Sequence, residues 1–206
     1  MTIILDRGHG QNTLGKGSPY ALSGVKPEYY LKEWLWADEI SCRIASILRR
    51  KGYNPYILVP EKIDVPLSVR CDRANRIYAQ DKDSFLVSIH VDAYGDGSKW
   101  EQPNGWSVWT TPGITKSDTL ADFLVTEAAK TFVGKRIRSY SFQSLGRDFE
   151  ASFKILKDVK CPAVLTENFF QTNIEDCKYI LSDKGKEDII KCHVNGIINY
   201  INQIKK

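Results

Sequence analysis

The chain has 206 residues, 42% of them apolar and 26% charged, which suits a soluble fold able to bury one substantial core. A net charge of +4 gives a mildly basic surface, open to loose contact with anionic polymers but too weak to name one. The five cysteines (Cys42, Cys71, Cys161, Cys177 and Cys192) are odd in number, widely spread and without a C-x-x-C pair, so free buried thiols are expected rather than a zinc ribbon or a disulfide framework.

The first residues hold too few apolar positions for a secretory leader, and no later stretch approaches the roughly 20 apolar residues of a membrane span. A chain made and kept in the cytosol, unless another route releases it, is the expectation. No internal repeat, low-complexity tract or linker-like shift divides the sequence, so one domain over 1–206 is expected.

Residues 2 to 6 are β-branched and apolar and break at Gly8, His9 and Gly10, which predicts a buried strand ending in a tight loop. Residues 10 to 30 are rich in Gly, Ser, Pro and Asn without periodicity and read as a long surface loop of a kind that is usually functional. From Glu33 to Arg50 apolar residues recur at helical spacing, and Gly52 follows a basic last turn, so Glu33 falls in the first turn of a helix.

A second strand is predicted over 53–59, a helix over 67–79 and a buried strand over 85–90. Further on come a strand over 106–110, a helix over 117–132, short strands over 153–156 and 163–166, and one or two helices within 175–201. The alternation indicates an α/β fold: one mixed, mostly parallel twisted sheet of about six strands, with helices on both faces. The segment 134–147 is basic, Ser-rich and read as irregular.

His9 and His90, two of three histidines, each close a predicted buried strand, where open α/β sheets place their ligand sites. Either alone could be a hydrogen-bonded core residue; together they suggest a shared centre. Catalytic zinc commonly takes two imidazoles and one carboxylate and keeps a fourth position open. Glu33 could supply the carboxylate, with Glu28 and Glu39 as rivals.

Glu167 ends the apolar run 163–166, where partial desolvation would suit a carboxylate to proton transfer; capping or a salt bridge is the plainer alternative. His193 lies mid-helix and reads as a surface or packing residue. Trp100, Trp106 and Trp109, near Tyr94, could form a stacking wall but more often such residues pack in the core or its rim. The run Lys135, Arg136, Arg138 reads as a solvated face open to anion contact.

With these residues in order, the chain resembles the zinc-dependent N-acetylmuramoyl-L-alanine amidases of the amidase type 3 (AmiC/CwlV-like) family, over nearly its whole length. The family's Asp-Pro-Gly-His-Gly corresponds to Asp6-Arg7-Gly8-His9-Gly10, with Arg7 for proline. Its ligand glutamate before an amphipathic helix corresponds to Glu33, which favours that residue over Glu28. Its Leu-x-x-Arg-x-x-x-Ala-Asn helix corresponds to Leu67 through Asn75, and its Ser-Ile-His-x-Asn-Ala to Ser88 through Ala93, with Asp92 for asparagine. Its strand with a catalytic glutamate and Phe-x-x-Asn corresponds to Pro162 through Asn173.

The resemblance implies one zinc ion on His9, Glu33 and His90, with Glu167 as the catalytic carboxylate and Asp6, Arg70 and Asp92 as candidates for orienting the ligands. It implies hydrolysis of the bond between N-acetylmuramic acid and L-alanine in bacterial peptidoglycan, as a phage or prophage endolysin or a host autolysin. Peptidoglycan is then the partner, with no nucleic acid and no membrane span, and a monomer is expected. The rival readings are a non-catalytic wall-binding module of the same fold, or a zinc peptidase or deacetylase on another substrate.

Overall fold

The computed structural model describes residues 1–19, 29–139 and 147–205. They form one six-stranded sheet and six helices, in the chain order β1 (Thr2–Arg7), α1 (Glu33–Arg50), β2 (Asn54–Ile57), α2 (Leu67–Gln80), β3 (Phe85–Asp92), β4 (Ser107–Thr110), α3 (Lys116–Thr131), β5 (Phe149–Glu150), α4 (Lys154–Lys157), β6 (Ala163–Phe170), α5 (Ile174–Leu181) and α6 (Asp183–Ile204). The sheet order is β2-β1-β3-β6-β4-β5. All neighbours run parallel except β4, which lies antiparallel to β6. This is the mixed, mostly parallel sheet expected of the alternating pattern.

The strands are apolar on both faces because each face carries a helical layer. Ile3, Leu5, Val87 and Ile89 pack with residues of α1, α3, α5 and α6, whereas Ile4, Leu86, Ala163 and Leu165 pack with α2 and α4. Strand side chains alternate between faces. Continuing the second set along each strand therefore puts Asp6, Ser88, His90 and Glu167 on the α2/α4 side.

The chain leaves β1 to pair on one side with β2 and returns to pair on the other side with β3. That reversal opens a crevice at the carboxyl ends of β1 and β3, the place where open α/β sheets bind ligands. His9 follows β1 and His90 lies near the end of β3.

The segment 153–156 is not a strand: it enters α4, which buries Ile155 and Leu156 against the α2 side. β6 also runs three residues past Glu167, so the carboxylate lies within the strand rather than at its end. Its ladder with β3 nevertheless breaks there, since His90 pairs with Glu167 and Asp92 with Phe170, leaving an extra residue on β6. Phe169 takes the left-handed conformation at φ 68° within this bulge. Bulges re-aim side chains, and here one sits beside the crevice.

Of the five cysteines, all are free thiols, and Cys42 is exposed rather than buried. Among the described residues no helix is long and apolar enough to cross a membrane.

Candidate metal centre

The loop after β1 is built around two close approaches. Gly8 donates its N–H to the Ile89 carbonyl at 3.0 Å, and a Cβ on Gly8 would lie 2.5 Å from Nδ1 of His90. A Cβ on Gly10 would lie 2.1 Å from the backbone nitrogen of Asp64. Between them His9 adopts φ 60°, a conformation uncommon for residues with a side chain. The two glycines thus let the loop press against β3 and the residues before α2.

Arg70, buried on α2, fastens the same loop. Its guanidinium donates to Asp6 Oδ1 at 3.0 Å, to the carbonyls of Arg7 and His9, and to Asp64 Oδ1 at 2.8 Å, while its Nε donates to the Val65 carbonyl at 2.8 Å. Asp6 accepts in addition from Ser88 Oγ at 2.6 Å on the neighbouring strand. Asp6 and Arg70 therefore fix the backbone that presents His9. Arg7, which replaces the family's proline, is buried and pairs with Asp38 on α1.

Glu33 is 1% exposed. Its Oε1 lies 3.1 Å from His90 Nδ1 and 3.4 Å from His9 Nε2, and accepts from the Val91 N–H at 3.1 Å. Its Oε2 accepts from Gln171 Nε2 at 2.9 Å. Burial opposes ionisation of this carboxyl, but the hydrogen bonds and charges of His9 and His90 outweigh it and hold the group well below the usual carboxylate range.

The donor atoms of His9, Glu33 and His90 all lie within 4.8 Å of one another. Ligand atoms about 2.0–2.1 Å from a tetrahedral zinc are about 3.3 Å apart, close to the two separations from Glu33 Oε1. A buried carboxylate with two imidazoles and, among the described residues, no lysine or arginine on it is a donor set that fits zinc.

The three side chains face a cleft of about 610 Å³, which Glu167 also lines. Glu167 Oε2 is buried and without a hydrogen-bond partner among the described residues. Burial, then the charges of Asp92 and Glu33, push its carboxyl well above the usual range, against the opposing pull of Arg138 and Lys16. Asp92 itself pairs with Arg138, which also donates to Ser107 Oγ at 2.7 Å and lies over the Phe170 ring. Asp92 thus acts on Glu167 through its charge rather than by holding a ligand.

Other candidates are placed elsewhere. Glu39 lies further along α1 and pairs with Lys186 and Arg43, so it does not reach the cleft. Glu28 lies outside the described residues. His193 is buried in α6, with Nδ1 2.8 Å from the Ile189 carbonyl and Nε2 3.0 Å from Thr166 Oγ1, the packing role expected of it. Trp106 is core and donates to Asn168, Trp109 stacks on Phe149, and neither lines the cleft. Arg138, read in the sequence as part of a solvated run, turns inward to Asp92. Residues 140–146 of the irregular segment lie outside the described residues.

Comparisons with known proteins point to one family. The family model described as N-acetylmuramoyl-L-alanine amidase matches residues 3–199. The chain is 28% identical over 204 residues to the endolysin of Bacillus phage SPP1, covering 99% of this chain and 67% of that protein. It is 26% identical over 208 residues to the N-acetylmuramoyl-L-alanine amidase CwlM of Bacillus licheniformis, covering 98% of this chain and 70% of that one. The solved structure of an N-acetylmuramoyl-L-alanine amidase from Clostridium difficile 630 superposes with a TM-score of 0.78 at 25% identity, covering 98% of this chain and 96% of that chain.

Proposed function

The chain belongs to the N-acetylmuramoyl-L-alanine amidase family, and on that premise we propose that it hydrolyses the amide joining N-acetylmuramic acid to L-alanine in peptidoglycan, at a zinc ion held by His9, Glu33 and His90. The observation that carries this reading is the meeting of that donor set in one cleft with Glu167, whose buried Oε2 has no hydrogen-bond partner among the described residues.

Zinc bound there would polarise the scissile carbonyl and lower the pKa of a water from 15.7 toward about 7. Glu33 and the two imidazoles keep one side open to the cleft, the position a substrate needs. Glu167 takes the proton of the attacking water and delivers it to the departing alanine nitrogen. Burial of Glu167 favours its protonated form, which suits a group that must both accept and release a proton.

Wall lysis or wall remodelling is the setting that the endolysin and amidase relatives suggest for this reaction. The test is incubation of zinc-loaded protein with purified peptidoglycan, with the products identified by mass. New alanine amino groups and intact stem peptides, lost with chelator or Glu167→Ala, are expected. Free glucosamine amines would instead make the protein a deacetylase, cut cross-links a peptidase, and an unchanged wall with bound protein a binding module.

A further inference from the structure

A second cavity, of about 330 Å³, adjoins the first, and Lys16 lines both. Its walls include Gln11, Tyr30, Lys32, Trp34 and Asp96. They are tied to the metal centre by backbone pairing: Glu33 donates its N–H to the Lys16 carbonyl at 3.2 Å, Gly17 and Lys32 form an antiparallel bridge, and Ser18 donates to the Leu31 carbonyl at 3.1 Å. Gly17 is needed for this contact, since a Cβ there would sit 2.5 Å from the Leu31 carbonyl oxygen. The segment that delivers Glu33 to the centre is thus also one wall of the second cavity.

The chemistry of that cavity differs from the other end of the cleft. Leu67 and Phe153 are part-exposed apolar side chains on the α2/α4 side, suited to the faces of a sugar. Beyond Lys16 there are one further ammonium group, one carboxylate and two aromatic rings, with Lys32 lying 5.7 Å from the centre of the Tyr30 ring. Lys32 stands at the N-cap of α1 with its backbone in an extended conformation. A scissile amide at the centre has the glycan on one side and a peptide on the other, and stem peptides carry free carboxylates and, at the third residue, an amine.

We propose that the cavity beyond Lys16 is the subsite for the acidic stem peptide, with Lys16 and Lys32 receiving its carboxylates and Asp96 facing its amine. The proposal rests on the amidase reading and fixes the direction in which the substrate lies: peptide toward Lys32, muramoyl sugar toward Phe153. Charge on the peptide beyond the first alanine then contributes to binding rather than to the chemical step.

The test compares kcat/KM of the zinc-loaded protein for N-acetylmuramoyl-tetrapeptide with that for N-acetylmuramoyl-L-alanine, in wild type, Lys32→Glu and Lys32→Arg. The wild type is expected to prefer the longer substrate. Lys32→Glu should shrink that preference about tenfold, through KM, and Lys32→Arg should restore it. Calorimetric binding of the free stem tetrapeptide should weaken in Lys32→Glu in parallel, and a far-ultraviolet circular dichroism spectrum matching the wild type separates loss of the subsite from a misfolded variant. An equal preference in wild type and Lys32→Glu overturns the subsite while leaving the amidase reading in place. A wild type that hydrolyses neither substrate overturns the amidase reading, and the subsite with it.

Discussion

His90 and Glu167 are register partners on the adjacent parallel strands β3 and β6. Both side chains project to the α2/α4 side, so the candidate ligand His90 and a carboxyl whose Oε2 has no hydrogen-bond partner among the described residues share one rim of the sheet. Immediately beyond this pair the ladder shifts by a residue, and Asn168 donates to the His90 carbonyl at 2.9 Å across the break. The pairing fixes the separation of the His90 imidazole and the Glu167 carboxyl by backbone hydrogen bonds.

If Glu167 moves protons and does not hold the metal, Glu167→Gln separates the two roles. The variant keeps the shape of the side chain, and kcat should fall by about 10²–10⁴-fold. Zinc per chain, measured by elemental analysis after dialysis, should equal that of the wild type. Metal loss in step with activity would make Glu167 a ligand and sink the assignment.

Gln171 bridges Glu33 Oε2 and the Val91 carbonyl, the latter at 3.1 Å. Such outer partners hold a ligand in its binding orientation, and their loss typically costs about 10–100-fold in metal affinity. Gln171→Leu should therefore lose zinc to a competing chelator at a correspondingly lower chelator concentration, and added zinc should recover activity. Unchanged zinc affinity would show that Val91 and the histidines suffice to orient Glu33.

Gly8 has no room for a side chain because the His90 ring occupies the space. A methyl group there must displace either the ring or the loop bearing His9. Gly8→Ala should lose zinc affinity by at least about tenfold, the lower end of what a disturbed ligand geometry costs. The clash is with a side chain near the carboxyl end of β3 and not with the strand ladder, so far-ultraviolet circular dichroism should match the wild type. Full zinc binding by Gly8→Ala would mean that the ring can move without cost.

Much of this centre was legible in the sequence because the chemistry sits at breaks in apolar runs. His9 and His90 close predicted strands, which local pattern reports, whereas Glu33 at a helix start is preferred to Glu28 mainly through the family resemblance. Contacts across the chain left no such mark. Gln171 meets Glu33 at a separation of 138 residues, and only the bulge after Glu167 brings it there. Arg138 looked like one member of a basic surface run because nothing local shows that Asp92 waits for it. The mistaken strand at 153–156 has a similar cause, since four mostly apolar residues are too few for periodicity to tell a strand from a turn of helix.

His193 supplies a pH dependence away from the metal. Burial lowers its pKa from an ordinary value near 6.5 to about 4, against the hydrogen bond to the Ile189 carbonyl. The contact with that carbonyl places the proton on Nδ1, leaving Nε2 to accept from the Thr166 hydroxyl. A base whose folded pKa lies below its unfolded value binds fewer protons when folded, so its neutral form stabilises the fold fully above about pH 6.5. That stability drains away as pH falls toward about 4. Between neutrality and pH 5 the loss from this one group is on the order of 2 kcal/mol. Urea midpoints of chelator-treated protein should therefore fall between pH 8 and pH 5, and the fall should be smaller in His193→Gln, whatever the overall stability of that variant. Metal-free protein is used because His9 and His90 would otherwise add the pH dependence of zinc release. An identical fall in both proteins would mean that His193 is protonated in the folded state as readily as in the unfolded chain.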